Sequence, residues 1–396
     1  LRGIINTPVK LENVRDFAKK IRKIEIAKIA VKQCYESIKN LCDVKGDESV
    51  NHILSLAEGP IFALEDVINS PDTASLKRMG HGLVEYVEHL KKYPVPILGI
   101  STGYPRYDKS IGGGLMKQEI DVIAARQKMG KSFLGDNIGL SIARQNIPVL
   151  NLDTEMSQRQ HWHRILSNLA NIKSDDIKTG RFGKKEEEYN KLIEAAKYLD
   201  SIPYYYDAVN GLSFEDILSI IRRWIMKIVG VNKQGKTNDC VVIYDYFKIM
   251  NRDDISSHMS ETQLIGYKIQ DLKALVVRYD VPCLTFCQVN RDGLTREDSG
   301  VVGKSDRIGE NCSSIMLYKP KSTDEIAKDG IKEGNMKLVS LVTRNGPGLH
   351  EKDYINMKFE GDYGRLTEGR SAFEIEADQQ NSAPFKSSEF EFQESV

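Results

Sequence analysis

The sequence predicts an α/β protein, with a mostly parallel sheet wrapped by helices and an all-helical segment in front of it. Three observations predict this. From position 119 short β-branched runs alternate with longer helical patterns, as in a sheet built from strand-helix-strand units. The last runs follow one another closely, which makes the far edge antiparallel. Before position 93 only helical spacing is found.

Taken in order, residues 8–40 place Val14, Phe17, Ile21, Ile24, Ala27 and Val31 at helical spacing among many lysines, as an amphipathic helix or helical pair. The loop "DVKGDES" leads into "VNHILSLAEGPIFALEDVI", a helical pattern that Gly59-Pro60 is expected to kink or end. A polar stretch from Asn69 to Arg78 precedes a further helix reaching about Lys92. "KKYPVPILGISTGYPRYDKSIGGGL" then reads as a linker and a turn-rich entry to a new domain. Strands are expected at "EIDVIAA", "IPVLNLD", "CVVIYD", "VPCLTFC", "SSIMLY", "LVSLVT" and "YINMKF". Helices are expected at 131–145, 157–170, 213–229 and 261–279. From Arg370 the chain turns acidic, Ser- and Gln-rich and poor in aliphatics, which predicts a disordered tail over 370–396. No internal repeat is visible.

The bulk numbers narrow the function classes. At 396 residues the chain is long enough for a full-sized core and a smaller second unit. Its 56 basic and 56 acidic residues cancel, so a nucleic acid must be met by a local patch rather than by a global field. The six cysteines form no CxxC pair and no zinc spacing; Cys283 and Cys287 sit in a strand pattern as small buried residues, and the usage fits a reducing cytoplasm. No apolar run approaches the roughly 18 residues that span a bilayer. The chain opens on Leu1 with no signal-peptide layout, and the expectation is a trimmed N-terminus.

The chemistry starts at "AARQKMGKS", residues 124–132. Gly130-Lys131-Ser132 falls between a strand and a helix, where backbone N–H groups and the helix dipole attract an anion. Lys131 is placed to reach terminal phosphates and Ser132 to hold Mg²⁺; Met129 belongs to the same loop. Ala125 stands where the usual pattern opens with glycine, and a small residue suffices there if the turn tolerates it. Asp245, ending "VVIYD", supplies the acid that such a loop needs for Mg²⁺; alone it would read as a strand-end cap. "VLNLDTEM" offers Asp153 and Glu155 as the base that orients water, or as caps of the next helix, and spacing does not choose between them.

These residues resemble DnaB-type replicative DNA helicases. "AARQKMGKS" is similar to that family's "AARPSMGKT" loop, where alanine in first place is normal. "YDKSIGGGL" resembles its entry turn and "LDTEMSQRQ" its "SLEMSxxQ" segment. "VVIYDYFKIM" resembles "LIVIDYLQLM", "FCQVNRDG" resembles "LSQLNRxx", and "TRNGP" resembles "KQRNGP". The likeness runs over residues 100 to 367. Upstream, "NVRDFAKKIRKIEIAKIAV" is similar to the last helices of the family's N-terminal domain and "VNHILSLAEGPIFAL" to its linker helix. The division implied is 1–45 for the end of an N-terminal domain, 46–99 for linker helices, 100–369 for a RecA-like P-loop ATPase domain, and 370–396 for the tail.

The resemblance also implies roles. Glu155 rather than Asp153 is the catalytic carboxylate, and Asp245 positions magnesium, through water. Gln288 couples the γ-phosphate to DNA-binding loops, and Arg344 is the finger that completes a neighbouring subunit's site. It implies ATP and Mg²⁺, a homo-hexameric ring around single-stranded DNA, a loader and a primase as partners, and a bacterial or phage-type protein in the bacterial cytoplasm. A RecA-like DNA-binding ATPase or a helicase-loading factor without unwinding activity is the alternative. Three departures stand out: Val342 replaces the lysine common two residues before the finger, Pro60 inside the linker-helix match implies a shortened or kinked helix, and Lys128 replaces a small loop residue. Arg252, Arg291, Arg296 and Lys304, in polar loops after or between strands, suit a sequence-neutral phosphate track, though ordinary solvated charge fits them equally. His161 and His163 flank Trp162 on a predicted helix, where packing accounts for them better than metal binding.

Overall fold

The structure is a computed structural model that describes residues 11–69, 78–232, 236–245, 261–289, 297 and 306–382. It divides into two compact units, one within 1–95 together with 212–223, the other from 96–211 and 224 onward.

In the first unit, α1 (Leu11–Cys42) is one helix rather than a pair, and it packs along α2 (Val50–Asn69), where the Ser37 hydroxyl donates to the Ala57 carbonyl at 2.8 Å. The apolar positions Phe17, Ile21, Ile24 and Val31 remain more than half exposed. Of the two outcomes expected at Gly59-Pro60, an end to the helix is not found: α2 runs through Pro60. A proline removes one intrahelical hydrogen bond, a local cost that packing against α1 offsets. A short helix, α3 (Leu83–Lys92), follows.

The second unit is built on nine strands. After the short helix α4 (Pro105–Ser110) the chain forms β1 (Ile120–Ala125), α5 (Lys131–Arg144), β2 (Val149–Asp153), α6 (Gln158–Ala170), α7 (Ser174–Thr179), α8 (Glu186–Ser201) and β3 (Tyr204–Ala208). Helix α9 (Phe214–Trp224), which up to Arg223 belongs to the first unit, leads through a π-helical turn to β4 (Val241–Asp245), α10 (Glu261–Tyr279) and β5 (Cys283–Gln288). Then come α11 (Asp306–Asn311), β6 (Ser314–Pro320), α12 (Thr323–Asp329), β7 (Met336–Thr343), β8 (Ile355–Glu360), β9 (Arg365–Ser371) and α13 (Ala372–Ser382). The strand order is β3-β2-β4-β5-β1-β6-β7-β8-β9. The first six are mutually parallel, and β7, β8 and β9 add on antiparallel, so the expected parallel sheet with an antiparallel far edge is what forms.

The central strands are apolar because helices cover them. β1, β2 and β4 are buried along their whole length, and Leu134, Ile138 and Ile142 of α5 join Ile123, Ile243 and Phe286 in one core. Helix α5 approaches the sheet so closely that a Cβ on Gly139 would lie 2.7 Å from the Tyr204 hydroxyl. Cys283 and Cys287 are buried strand residues, as expected, and burial pushes the Cys287 thiol up to about 12. The tail expectation needs correction over 370–382. β9 continues to Ser371, and α13 follows because Ser371 and Glu374 cap each other reciprocally while Ala372 and Ile375 are buried. Arg370 pairs with Glu333 and with Asp378, each at 2.7 Å. Phe390 and Phe392 lie outside the described residues.

Candidate active site

The parallel strands all point their C-terminal ends to one edge of the sheet, and the site residues collect there. Ala125, fully buried at the end of β1, is paired in register with Gln288 at the end of β5, and Asp153 of β2 with Asp245 of β4. Between Ala125 and α5 the chain makes a tight turn. Lys128 and Gly130 both take left-handed backbone angles (φ 62° and 88°), and the Leu134 N–H returns to the Gly130 carbonyl at 3.0 Å. A Cβ on Gly130 would meet only ordinary contacts, from 3.7 Å to Phe359, so glycine is favoured there by its φ rather than by space. Lys128 is exposed, whereas Met129 packs partly buried against the core and anchors the loop.

Lys131 opens α5 at the sheet edge and is 8 % exposed. Burial lowers its pKa, and Asp245, Cys287, Glu155 and Asp153 act against that, Asp245 most. Asp245 is itself buried. Desolvation raises its carboxyl, and the Lys131 charge and a hydrogen bond with the Ser132 side chain limit the rise to about 6. Its Oδ1 is buried with no hydrogen-bond partner in the protein. An orphaned carboxylate oxygen next to a serine hydroxyl and a lysine fits a hydrated divalent cation with phosphate, whose other ligands would be water and phosphate oxygens.

The structure separates the two carboxylates that spacing leaves equivalent. Glu155 is exposed on the turn after β2. Asp153 is buried with both oxygens engaged: Oδ1 accepts from the backbone N–H groups of Glu155 (2.6 Å) and Met156 (2.7 Å), and Oδ2 faces His161 Nε2 at 3.0 Å. Gln288 is exposed at its strand end and accepts from the Gln127 side chain at 3.2 Å.

Arg344 is not at this edge. Its N–H donates to the Ser313 carbonyl, and the Ser313 N–H to the carbonyl of Ile120, the first residue of β1, both at 2.8 Å. Five strand steps separate Ile120 from Ala125, about 16 Å along the sheet at ~3.3 Å each. The Arg344 guanidinium is exposed and donates to the Glu310 carbonyl at 3.0 Å, and Val342 pairs with Ile315 in the sheet. Arg252, Arg291, Arg296 and Lys304 lie outside the described residues.

Sequence reasoning missed the group behind Glu155. His161 of α6 bridges Asp136 of α5 and Asp153, and Arg164 of α6 faces Asp136, with Tyr204 and Tyr206 of β3 beside them. His161 is a packed core residue, as expected of it, but an ionic one. Burial alone would lower its pKa, yet hydrogen bonds to Asp136 and Asp153 raise it to about 9. No signal in the linear sequence joins positions 136, 153 and 161, because three separate elements bring them together. A cavity of about 610 Å³ borders His161 and Tyr206 from the side of α8, and none of Lys131, Ser132, Asp245 or Glu155 lines it.

The chain is similar to known proteins in sequence and in fold. The family described as DnaB-like helicase C terminal domain matches residues 99–368. Among curated relatives, a probable replicative DNA helicase of Trieres chinensis is 24 % identical over 92 % of this chain and 77 % of its own length. The replicative DNA helicase DnaB of Haemophilus influenzae is 25 % identical over 91 % of this chain and 75 % of its own. Among solved structures, an isolated ATPase domain superposes with a TM-score of 0.63 at 20 % identity, covering 74 % of this chain and 99 % of that one. A DnaB-like replicative helicase, described with its interactions with primase, gives 0.61 at 18 % identity, covering 89 % and 79 %. With the family match spanning the whole sheet, from the entry turn into β9, the chain belongs to the DnaB-like helicase C-terminal domain family.

Proposed function

We propose that this chain, an ATP-hydrolysing replicative DNA helicase, works as a ring of identical subunits in which each nucleotide site is completed by Arg344 of a neighbour. The observation that carries this reading is the division of the site between the two ends of the sheet. Lys131, Ser132, Asp245, Glu155 and Gln288 share one edge, and Arg344 stands at the opposite end, beyond reach of its own loop. A head-to-tail ring brings such unlike surfaces of one subunit against each other.

Each residue then has a task. The loop backbone and Lys131 hold the phosphates of ATP, and Ser132 with Asp245 holds Mg²⁺, Asp245 through water. When bound, the cation neutralises charge developing on the phosphates. Glu155, exposed on its turn, orients and deprotonates the attacking water, and Gln288 reads the γ-phosphate from the adjacent strand end. The neighbour's guanidinium bridges two γ-phosphate oxygens as charge develops. Single-stranded DNA passes through the ring along the segments that follow β4 and β5 in the sequence, where Arg252, Arg291, Arg296 and Lys304 supply phosphate contacts without base readout. A primase and a loader are the further partners this reading calls for. Among the described residues no helix is long and apolar enough to cross a membrane.

Unwinding of a forked duplex with ATP and Mg²⁺ tests the reading. Strand separation that requires both supports it. Hydrolysis stimulated by DNA with no strand separation points instead to the non-unwinding ATPase.

A further inference from the structure

Two carboxylates and an imidazole lie buried together behind the site, with a partly buried guanidinium beside them. His161 Nδ1 meets Asp136 Oδ1 at 2.6 Å and its Nε2 meets Asp153 Oδ2 at 3.0 Å, while Arg164 Nη1 stands 3.8 Å from Asp136 Oδ2. With His161 protonated the four formal charges cancel. Such a cluster is a poor way to gain stability, since apolar residues of the same volume serve as well or better. What it does hold is one particular turn. Asp153 Oδ1 accepts from the N–H groups of Glu155 and Met156, the Tyr206 hydroxyl donates to the Met156 carbonyl at 2.6 Å, and the Thr154 N–H donates to the Asp245 carbonyl at 2.9 Å. The other end of the cluster is the phosphate helix. Asp136 lies one turn beyond Ser132, and Arg164 stacks over Phe133, its guanidinium carbon 3.9 Å from the ring centroid.

We propose that Asp153 and His161 are positioning residues for ATP hydrolysis: with Asp136 they lock the turn that presents Glu155 to the helix that grips the phosphates. A carboxylate that misses its water by about 1 Å can lose on the order of 10²-fold in rate, so a rigid link from Lys131 and Ser132 to Glu155 has a direct kinetic value. The family segment "SLEMSxxQ" carries serine where this sequence has Asp153, and a serine hydroxyl offers no charge to an imidazolium. His161 therefore acts through Asp153 on Glu155 and touches no substrate.

The inference rests on Glu155 being the base, and the test keeps the two apart. Full-length His161→Gln, Asp153→Asn and Glu155→Gln proteins are compared with wild type on single-stranded DNA. Thermal unfolding, binding of a fluorescent ATP analogue, and kcat and KM for ATP are read for each. His161→Gln is expected to lower kcat about tenfold or more while KM and analogue affinity stay within about twofold. Adding His161→Gln to Glu155→Gln is expected to lower kcat no further, because both act on one step. If Glu155→Gln abolishes hydrolysis while His161→Gln keeps wild-type kcat, the positioning role is wrong and the base stands. A parallel fall in kcat and analogue affinity marks a merely structural histidine and also overturns it. Wild-type turnover in Glu155→Gln rejects the base itself. Should His161→Gln fail to fold, Asp153→Asn decides by the same criteria.

Discussion

The two ends of the parallel sheet carry the same kinds of residue to opposite effect. At the loop end Lys131 and Asp245 are buried against each other, Asp245 also bonds Ser132, and Asp153 pins the turn of Glu155. At the other end Arg344 is exposed beside Glu310, with Glu119, Lys273 and Ser313 tied together nearby. Burial and mutual hydrogen bonding preorganise the first group within one chain. The second end presents a cation outward. On the proposed reading, such a site holds phosphate by itself and hydrolyses ATP only with a neighbouring subunit.

Lys131→Ala breaks the first end most severely. Removing the cation from the loop is expected to reduce turnover on the order of 10³-fold or more, with the unfolding temperature little changed. Arg344→Ala breaks the second end. Turnover should fall by about 10³-fold while an ATP analogue still binds, and Arg344→Lys should recover little because a point charge does not replace a planar fork. Wild-type turnover in Arg344→Ala would remove the contrast between the two ends.

Within the loop end, Glu155→Gln is expected to cost roughly 10²- to 10⁴-fold in kcat at unchanged analogue affinity. Asp153→Asn should cost only about tenfold, since the amide oxygen still accepts from both backbone N–H groups. The reverse ranking in steady-state assays would exchange their roles.

The cluster behind them also predicts a pH effect on stability. His161 is faced by Asp136 from α5, Asp153 from β2, Arg164 on its own helix, and Tyr204 and Tyr206 from β3. Its pKa in the folded chain is raised to about 9. A raised histidine stabilises fully below its unfolded value, about 6.5, and loses that contribution as pH rises through about 9. The unfolding temperature of wild type should therefore fall more between pH 6.5 and 9.5 than that of His161→Gln; equal slopes would mean that His161 is not held charged. The smallest effect concerns Val342. Val342→Lys should raise turnover no more than about tenfold, by returning a second cation beside the finger, and should do nothing in an Arg344→Ala ring.

Much of this was legible in the sequence, and the gaps have physical causes. Strands β1, β2, β4 and β5 are covered on both faces and read as apolar runs. β3 escaped notice because "YYYDA" is an edge strand, half exposed and partly charged, and β9 because "RLTEGRS" has few aliphatics. Helix α8 buries only Leu192 and Ala195, too little to imprint a strong period. Helix α13 hides in an acidic stretch because a reciprocal cap and two buried residues suffice to hold it. At the site, the loop and Asp245 follow from spacing along single elements. Asp153 and Glu155 could not be told apart that way, since their difference lies in burial and in a histidine contributed by another helix.

The central claim, one site shared by two subunits, is tested most directly by mixing. A Lys131→Ala subunit still offers Arg344, and an Arg344→Ala subunit still offers an intact loop. In rings assembled from equal amounts of both, about one interface in four pairs the intact loop with the intact finger. The account predicts that such rings, verified as mixed, regain a substantial part of the ATPase activity that each variant lacks alone. Verified mixed rings that stay as inactive as the separate variants would contradict it.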